Sequence, residues 1–220
     1  MNKRYRESAT TLQTEMQEEE LQALCSVAEG LSNPERIAEI GTAAGGTLVH
    51  LLKALPQLPP NQVVVVDKFQ YFDNHLGIWT ENIQSHGFQP NEIDVRVGSS
   101  EEGFMRSSQA GEQFSLILVD AGHKLKDVIR DVRWLSRLEV GGVGAFHDYS
   151  EKFPGVQKAV DVFLKRNSNY VIEKQAGTLL FVRKTEQSSC DEMPTHIIWG
   201  MTFLSLLMQW QRSLKKRFRT

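Results

Sequence analysis

Residues 63–67, Val-Val-Val-Val-Asp, constrain the fold more than any other stretch of the chain. A short, unbroken β-branched run that ends on an acid is buried on both faces, and strands of that kind belong to parallel sheets. Parallel strands need crossover connections, so helices must lie before and after this run. The sequence supplies them in alternation. RIAEIG (36–41) reads as a strand and GGTLVHLLKAL (45–55) as a helix, and the Pro-rich connector QLPPNQ (57–62) leads into the valine run. A helix is expected near 76–86, then strands IDVRVG (93–98) and FSLILVD (114–120). Leu125, Val128, Ile129, Val132, Leu135 and Leu138 form one apolar stripe, which predicts a continuous helix over 124–138 facing the sheet. EVGGVGAFHD (139–148) holds a fifth strand, entered through a glycine pair that suits a helix C-terminus. After a helix over 155–166, YVIEK and GTLLFVRK read as a closing antiparallel pair. The expected architecture is an α/β, doubly wound, mostly parallel seven-stranded sheet with N-terminal helices and a C-terminal amphipathic helix.

Charge is unevenly spread along this frame. The chain has 220 residues and a net charge of −2, but its last ten residues carry five Lys/Arg and no acid, so residues 1–210 carry −7. A body of that sign is a poor nucleic-acid binder, and no nucleic-acid partner is expected. Cys25 and Cys190 form neither a disulfide framework nor a CxxC motif, and the first twenty residues lack the apolar core of a secretory signal. Both point to a reducing, cytoplasmic setting. Three segments follow: an N-terminal helical cap over 1–34, a core domain over 35–184, and a linker with an amphipathic basic helix over 185–220. In the cap, Leu12, Met16, Leu21, Leu24, Val27 and Leu31 recur at helical spacing, and Glu18–Glu20 falls on the intervening face. The cap either covers the open end of the crevice or packs as a sheet-edge or dimer helix. The apolar stretch 197–208 is too short to span a bilayer. With Trp199, Phe203, Leu206, Leu207 and Trp210 before a basic end, it suits own-core packing, a homodimer, or peripheral contact with an anionic membrane.

On a doubly wound sheet, ligands bind beyond the carboxyl ends of the strands. The first such end carries Glu39, Gly41, Thr42, Gly45, Gly46 and Thr47, where glycines allow close backbone approach and a helix N-terminus offers free N–H groups. This implies a bound cofactor, although the spacing does not meet G-x-G-x-x-G because Ala43 stands at the second glycine position. Asp67 stands where a ribose-binding acid belongs. The fourth and fifth strand ends carry Asp120 with His123 (VDAGH) and His147 with Asp148 (FHDY), so these side chains converge on one crevice. Asp120, His147 and Asp148 form a set able to hold Mg²⁺ or Mn²⁺. The plainer alternative makes Asp120 a helix cap and His147 a packed core residue. His123, with an ordinary pKa near neutrality, suits a general base for an acceptor hydroxyl. Phe69, Tyr71, Phe72, His75 and Trp79 form either a lid or core packing.

The series EIGTAAGGT, VVVVDKF, GSSEE, SLILVDAGH, DVIRDVRWLSRL, EVGGVGAFHDY and GTLLFVRK, over about residues 35–184, resembles class I S-adenosylmethionine-dependent methyltransferases. More narrowly, it resembles the branch of macrocin-type sugar O-methyltransferases and cephalosporin-hydroxylase-like proteins. The resemblance implies a Rossmann-like methyltransferase fold that methylates a hydroxylated small molecule, with S-adenosylmethionine (SAM) as cofactor and possible help from Mg²⁺ or Mn²⁺. It implies that Glu39, Gly41 and Gly45 line the methionine part of the cofactor, that Thr42 is a further cofactor-binding residue, that Asp67 binds the ribose, and that Ser99 and Ser100 lie near the adenine. Asp120, which also borders the cofactor, and Asp148 would be metal ligands and His123 the base. His147 stands where several metal-dependent members carry an acid. Two rival readings stay open at this point: a nicotinamide-dependent oxidoreductase, which the sequence disfavours for want of G-x-G-x-x-G and of a Tyr-x-x-x-Lys pair, and a catalytically inactive binding or scaffold protein.

Overall fold

A computed structural model of the chain describes residues 14–32, 34–55, 58–188 and 193–217, with backbone alone from 208 onward. The expectations resting on Leu12, on Cys190 and on the side chains of Trp210 and the basic tail lie outside the described residues.

Seven strands form one sheet in the order β3-β2-β1-β4-β5-β7-β6. They are β1 (Ile37–Ile40), β2 (Val63–Asp67), β3 (Ile93–Val97), β4 (Phe114–Val119), β5 (Leu138–Phe146), β6 (Tyr170–Ala176) and β7 (Leu179–Lys184). The first five are mutually parallel, and β7 inserts antiparallel between β5 and β6. The valine run of β2 is buried from Val63 to Val66, with alternate residues feeding two cores. Helices α1 (Glu18–Glu29) and α2 (Gly46–Ala54), with Trp79 and Ile83 of α3 (His75–Ser85), close one face of the sheet. Phe104 of α4 (Ser100–Gln109), α5 (Leu125–Asp131) and α6 (Pro154–Arg166) close the other.

Two local expectations are corrected. The stripe at 125–138 does face the sheet, but α5 gives way at Val132 to a 3₁₀ segment, Val132–Arg137, and Leu138 already begins β5. The tighter winding seats Trp134 and Leu135 fully in the core, with the Trp134 ring edge-on to Phe104 and Phe114. The glycine pair 141–142 ends no helix. It lies inside β5 as a bulge, with Gly141 at φ +88°, where the pairing with β4 jumps between Phe114 and Leu116.

The last helix, α7 (Thr195–Arg217), packs on α5, with Ile197, Ile198 and Met201 against the core. Trp199, Phe203, Leu206 and Leu207 remain exposed in a row. This is the surface that the sequence reading gives to a second copy or an anionic membrane. No described helix is long and apolar enough to cross a membrane.

Strand order reverses between β1 and β4, and there the two chains run into their loops almost in contact. Gly41 N–H donates to Val66 and Asp120 N–H to Ile40, and a Cβ on Gly41 would lie 2.4 Å from the Asp120 carbonyl oxygen. Gly41 also has φ +87°. Gly41→Ala therefore meets both backbone strain and a backbone clash, and we expect it to cost about 2–4 kcal/mol of stability, read as a lowered midpoint in denaturant with unchanged slope.

Candidate active site

The crevice at this switch point is a cavity of about 580 Å³. Glu39, Gly41, Thr42, Asp67, Ser99, Ser100, Asp120 and His123 all line it. Three further site candidates do not. Gly45 adopts φ +85° at the start of α2, but its Cα faces the Trp79 indole at a built-Cβ distance of 3.1 Å, and Gly46 and Thr47 reach the wall instead. His147 and Asp148 lie behind Asp120 and His123 rather than on the surface of the cavity.

The glycine loop is held from one face of α3. The His75 ring meets the Ala43 carbonyl oxygen, Trp79 Nε1 donates to Thr42 Oγ1 at 3.1 Å, and Asn82 Nδ2 donates to the Ala44 carbonyl oxygen at 2.8 Å. Positions 75, 79 and 82 share a helix face, so the His and Trp of the aromatic segment buttress the loop, while Tyr71 stands 61% exposed at the cavity rim. Ala43, at the glycine-like position, does adopt φ +44°, pinned by these contacts. Asp67 closes the loop from the other side: Oδ2 accepts from Thr42 N–H at 3.0 Å and Oδ1 from Phe69 N–H at 2.6 Å. At the far end Ser99 caps α4 in a reciprocal pair with Glu102, and Ser100 Oγ accepts from Trp134 Nε1 at 3.0 Å. Beside it Asp131, a cavity residue that the sequence did not single out, is buried and its carboxyl is pushed up to about 7.

Glu39 is the most unusual group in the cavity. It is fully buried, and its Oε2 has no hydrogen-bond partner among the described residues. Burial raises its carboxyl to about 8, against a Thr42 hydrogen bond that lowers it and with the charges of Asp120 and Asp67 adding to the rise. An orphaned carboxyl oxygen in a cavity of this size fits a ligand that brings a cationic donor.

The strand-end residues form a second cluster. His147, 8% exposed, directs Nδ1 to Asp120 Oδ1 at 2.9 Å and Nε2 to Glu20 Oε2 at 3.3 Å, with Asp148 Oδ2 3.9 Å from Nδ1. Burial alone would push the imidazolium down. The Asp120 hydrogen bond and the charges of Asp120, Asp148 and Glu20 outweigh it and raise His147 to about 9. Neither alternative drawn from the sequence covers this arrangement, because His147 is buried yet joined to two carboxylates. His123 stands 40% exposed by side chain, with Nε2 2.9 Å from Asp148 Oδ2 and its ring against Phe153 at 4.7 Å. The Asp148 hydrogen bond raises His123 above its ordinary range, and partial burial opposes this. Asp148 itself sits at φ +60°, a left-handed conformation that Asp tolerates and that turns its carboxylate back to His123.

Glu20 is the residue the sequence reading misplaced. It is buried, not solvated, and its Oε1 accepts from Thr178 N–H and Oγ1 while its Oε2 accepts from Gln17 N–H. The signal was its register: Glu20, Leu24 and Ala28 lie four apart on the buried face of α1. The expected metal set is brought together but is differently engaged. Asp120, His147 and Asp148 do come together, but paired to imidazole nitrogens, and among the described residues no group of three or more His, Cys, Asp or Glu is arranged to hold a metal ion.

The seven-stranded sheet, with a cavity at its switch point, has the Rossmann-like fold of class I methyltransferases. The chain matches the family described as "Methyltransferase domain" over residues 38–149, just over half its length, and belongs to that family. No curated protein matches the sequence. Among solved structures, a Corynebacterium glutamicum protein superposes with a TM-score of 0.65 at 16% identity, over 85% of this chain and 90% of that one. An O-methyltransferase from Bacillus cereus in complex with SAH gives 0.61 at 18% identity, over 80% and 86%. TomG from Streptomyces achromogenes, an O-methyltransferase involved in tomaymycin synthesis, in complex with SAM, gives 0.61 at 19% identity, over 78% and 82%. At such identities the likeness speaks to fold.

Because Glu39 ionises with a raised pKa in the folded chain, its contribution to stability is full below about pH 4.5 and is lost as pH rises through about 8. Glu39→Gln removes that loss. Thermal melts of the ligand-free protein are expected to show the variant more stable than the parent at pH 8.5, by up to about 5 kcal/mol, and the gap to close toward pH 4.5.

Proposed function

We propose that the chain methylates a hydroxyl oxygen of a small hydroxylated acceptor, a sugar or natural-product intermediate, with His123 as the general base. The observation that carries this reading is the His123–Asp148 pair, a half-exposed imidazole on the cavity wall tied to a carboxylate at 2.9 Å. Two of the three structural neighbours named above are described as O-methyltransferases, which supports oxygen as the acceptor atom.

SAM, when bound, supplies a methyl group on a sulfonium. The chain's own residues would hold it along the cavity. Glu39 offers its unpaired oxygen to the α-ammonium, Gly41 and Thr42 offer backbone beside the methionine part, Asp67 accepts from the ribose hydroxyls, and Ser99 and Ser100 flank the adenine. Asp67 keeps a lone pair free on each oxygen while bonding the loop amides, so holding the loop and holding a ribose are compatible.

Methyl transfer from a sulfonium extinguishes charge, so what remains for the protein is to align the acceptor oxygen and take its proton. With Nε2–H donating to Asp148, His123 presents Nδ1 as the acceptor, and the imidazolium it forms is stabilised by the Asp148 carboxylate. Gly155, at the start of α6, packs so closely beneath this loop that a Cβ there would lie 2.5 Å from the His123 carbonyl oxygen, which fixes the height of the ring. Thr14 and Glu15, just before α1, also line the cavity, so the N-terminal segment contributes to the acceptor end.

His123→Gln is expected to lower kcat by about 100- to 10,000-fold while leaving the SAH dissociation constant unchanged. The base acts in its neutral form, so kcat rises with pH through the raised His123 pKa, and Asp148→Asn is expected to move that limb to lower pH. A pH–rate series on the three proteins checks both. Full turnover in His123→Gln rejects the assignment.

A further inference from the structure

Three carboxylates, Asp120, Asp148 and Glu20, surround one point behind the cavity, drawn from β4, β5 and α1, and the His147 ring fills that point. Carboxylates gathered in this way in a buried place need a cation among them. A hard divalent ion would require their oxygens at roughly 2.0–2.6 Å from a common centre with water or further oxygens completing the shell. Here the imidazole plane separates the Asp120 and Glu20 oxygens, and each ring nitrogen faces a carboxylate, so no nitrogen lone pair is turned outward as a ligand. Asp148 is committed to His123 as well.

We propose that His147, gripped between Asp120 and Glu20, takes the place of a divalent cation in this methyltransferase and holds the Asp120 carboxylate at the cavity wall, so that the site is built to work without a metal ion. Glu20 is then a positioning residue. Its four hydrogen bonds, to Gln17 N–H, Thr178 N–H, Thr178 Oγ1 and His147, fasten α1 and the β6–β7 turn to the far side of the ring. A Cβ on Gly177 in that turn would come within 2.7 Å of Glu20 Oε1, so the turn and the carboxylate are fitted to each other. The acid run at the start of α1 thus reaches the site through one of its three members, and the N-terminal helix supports the active-site wall from behind.

The proposal rests on the methyltransferase reading for its place in catalysis but is tested without turnover. Titrating the full chain with Mn²⁺ alone, followed by electron paramagnetic resonance of free Mn²⁺, is expected to show no stoichiometric uptake by the parent. His147→Asp, which removes the internal cation and adds a carboxylate, is expected to take up one equivalent. One equivalent bound by the parent and lost in Asp120→Asn would overturn the proposal, and so would a folded His147→Asp that binds none. If His147→Asp does not fold, the parent titration decides alone. Glu20→Gln adds a readout that a purely structural contact would not move: the pH limb of kcat is expected to shift, whereas a lowered melting midpoint with the limb in place would show that Glu20 serves the helix and not the ring. An inactive acceptor screen would count against the proposed function and leave the Mn²⁺ result standing.

Discussion

The arrangement of the site depends on the hydrogen-bonded chain Asp120–His147–Glu20. It crosses the end of the sheet from β4 through β5 to α1, and joins Asp120 on the cavity wall to Glu20, a hundred residues earlier in sequence. Both links are electrostatic, the one to Glu20 buried and the one to Asp120 partly so, which makes the chain strong if complete and costly if broken. Its consequence is geometric: with Asp120 fixed, the loop after β4 is fixed, and His123 three residues on meets Asp148 from β5 at the mouth of the same cavity.

The cofactor side is organised by a different principle. There the backbone does the shaping, through the close approach of Gly41 to Asp120 and a loop whose carbonyl and hydroxyl groups are held by His75, Trp79 and Asn82 of α3. Against this rigid frame Glu39 is left with an unmatched oxygen, a local loss of stability at neutral pH that a cationic ligand removes. Frame and unmatched group together are what a binding site requires of a scaffold.

The sheet was legible because its strands announce themselves: β2 is a valine run, and each parallel neighbour ends on Gly, Asp or His at the same level. Gly41, Asp67 and Asp120 could be named from those ends alone, and His123 from the loop that follows Asp120. Three features were not legible for physical reasons. The glycine pair in β5 and the 3₁₀ winding after α5 answer to tertiary packing, the first to strand pairing with Phe114, the second to the seating of Trp134. Gly45 looked like a ligand-facing glycine, but what its missing side chain accommodates is an indole. Glu20 carried a signal, an acid on an apolar stripe, that is easily lost in a run of three glutamates. His147 and its carboxylates read as a metal set from residue type, because type alone does not show whether side chains point at an ion or at each other.

What fills the cavity decides what the site is for. Calorimetric titration of the full chain with S-adenosylhomocysteine, beside NAD⁺ under the same conditions, measures this without knowledge of the acceptor. One S-adenosylhomocysteine bound per chain, weakened in Asp67→Ala, with no heat from NAD⁺, is the predicted result. Saturable binding of NAD⁺, or no binding of S-adenosylhomocysteine by the folded protein, would contradict it.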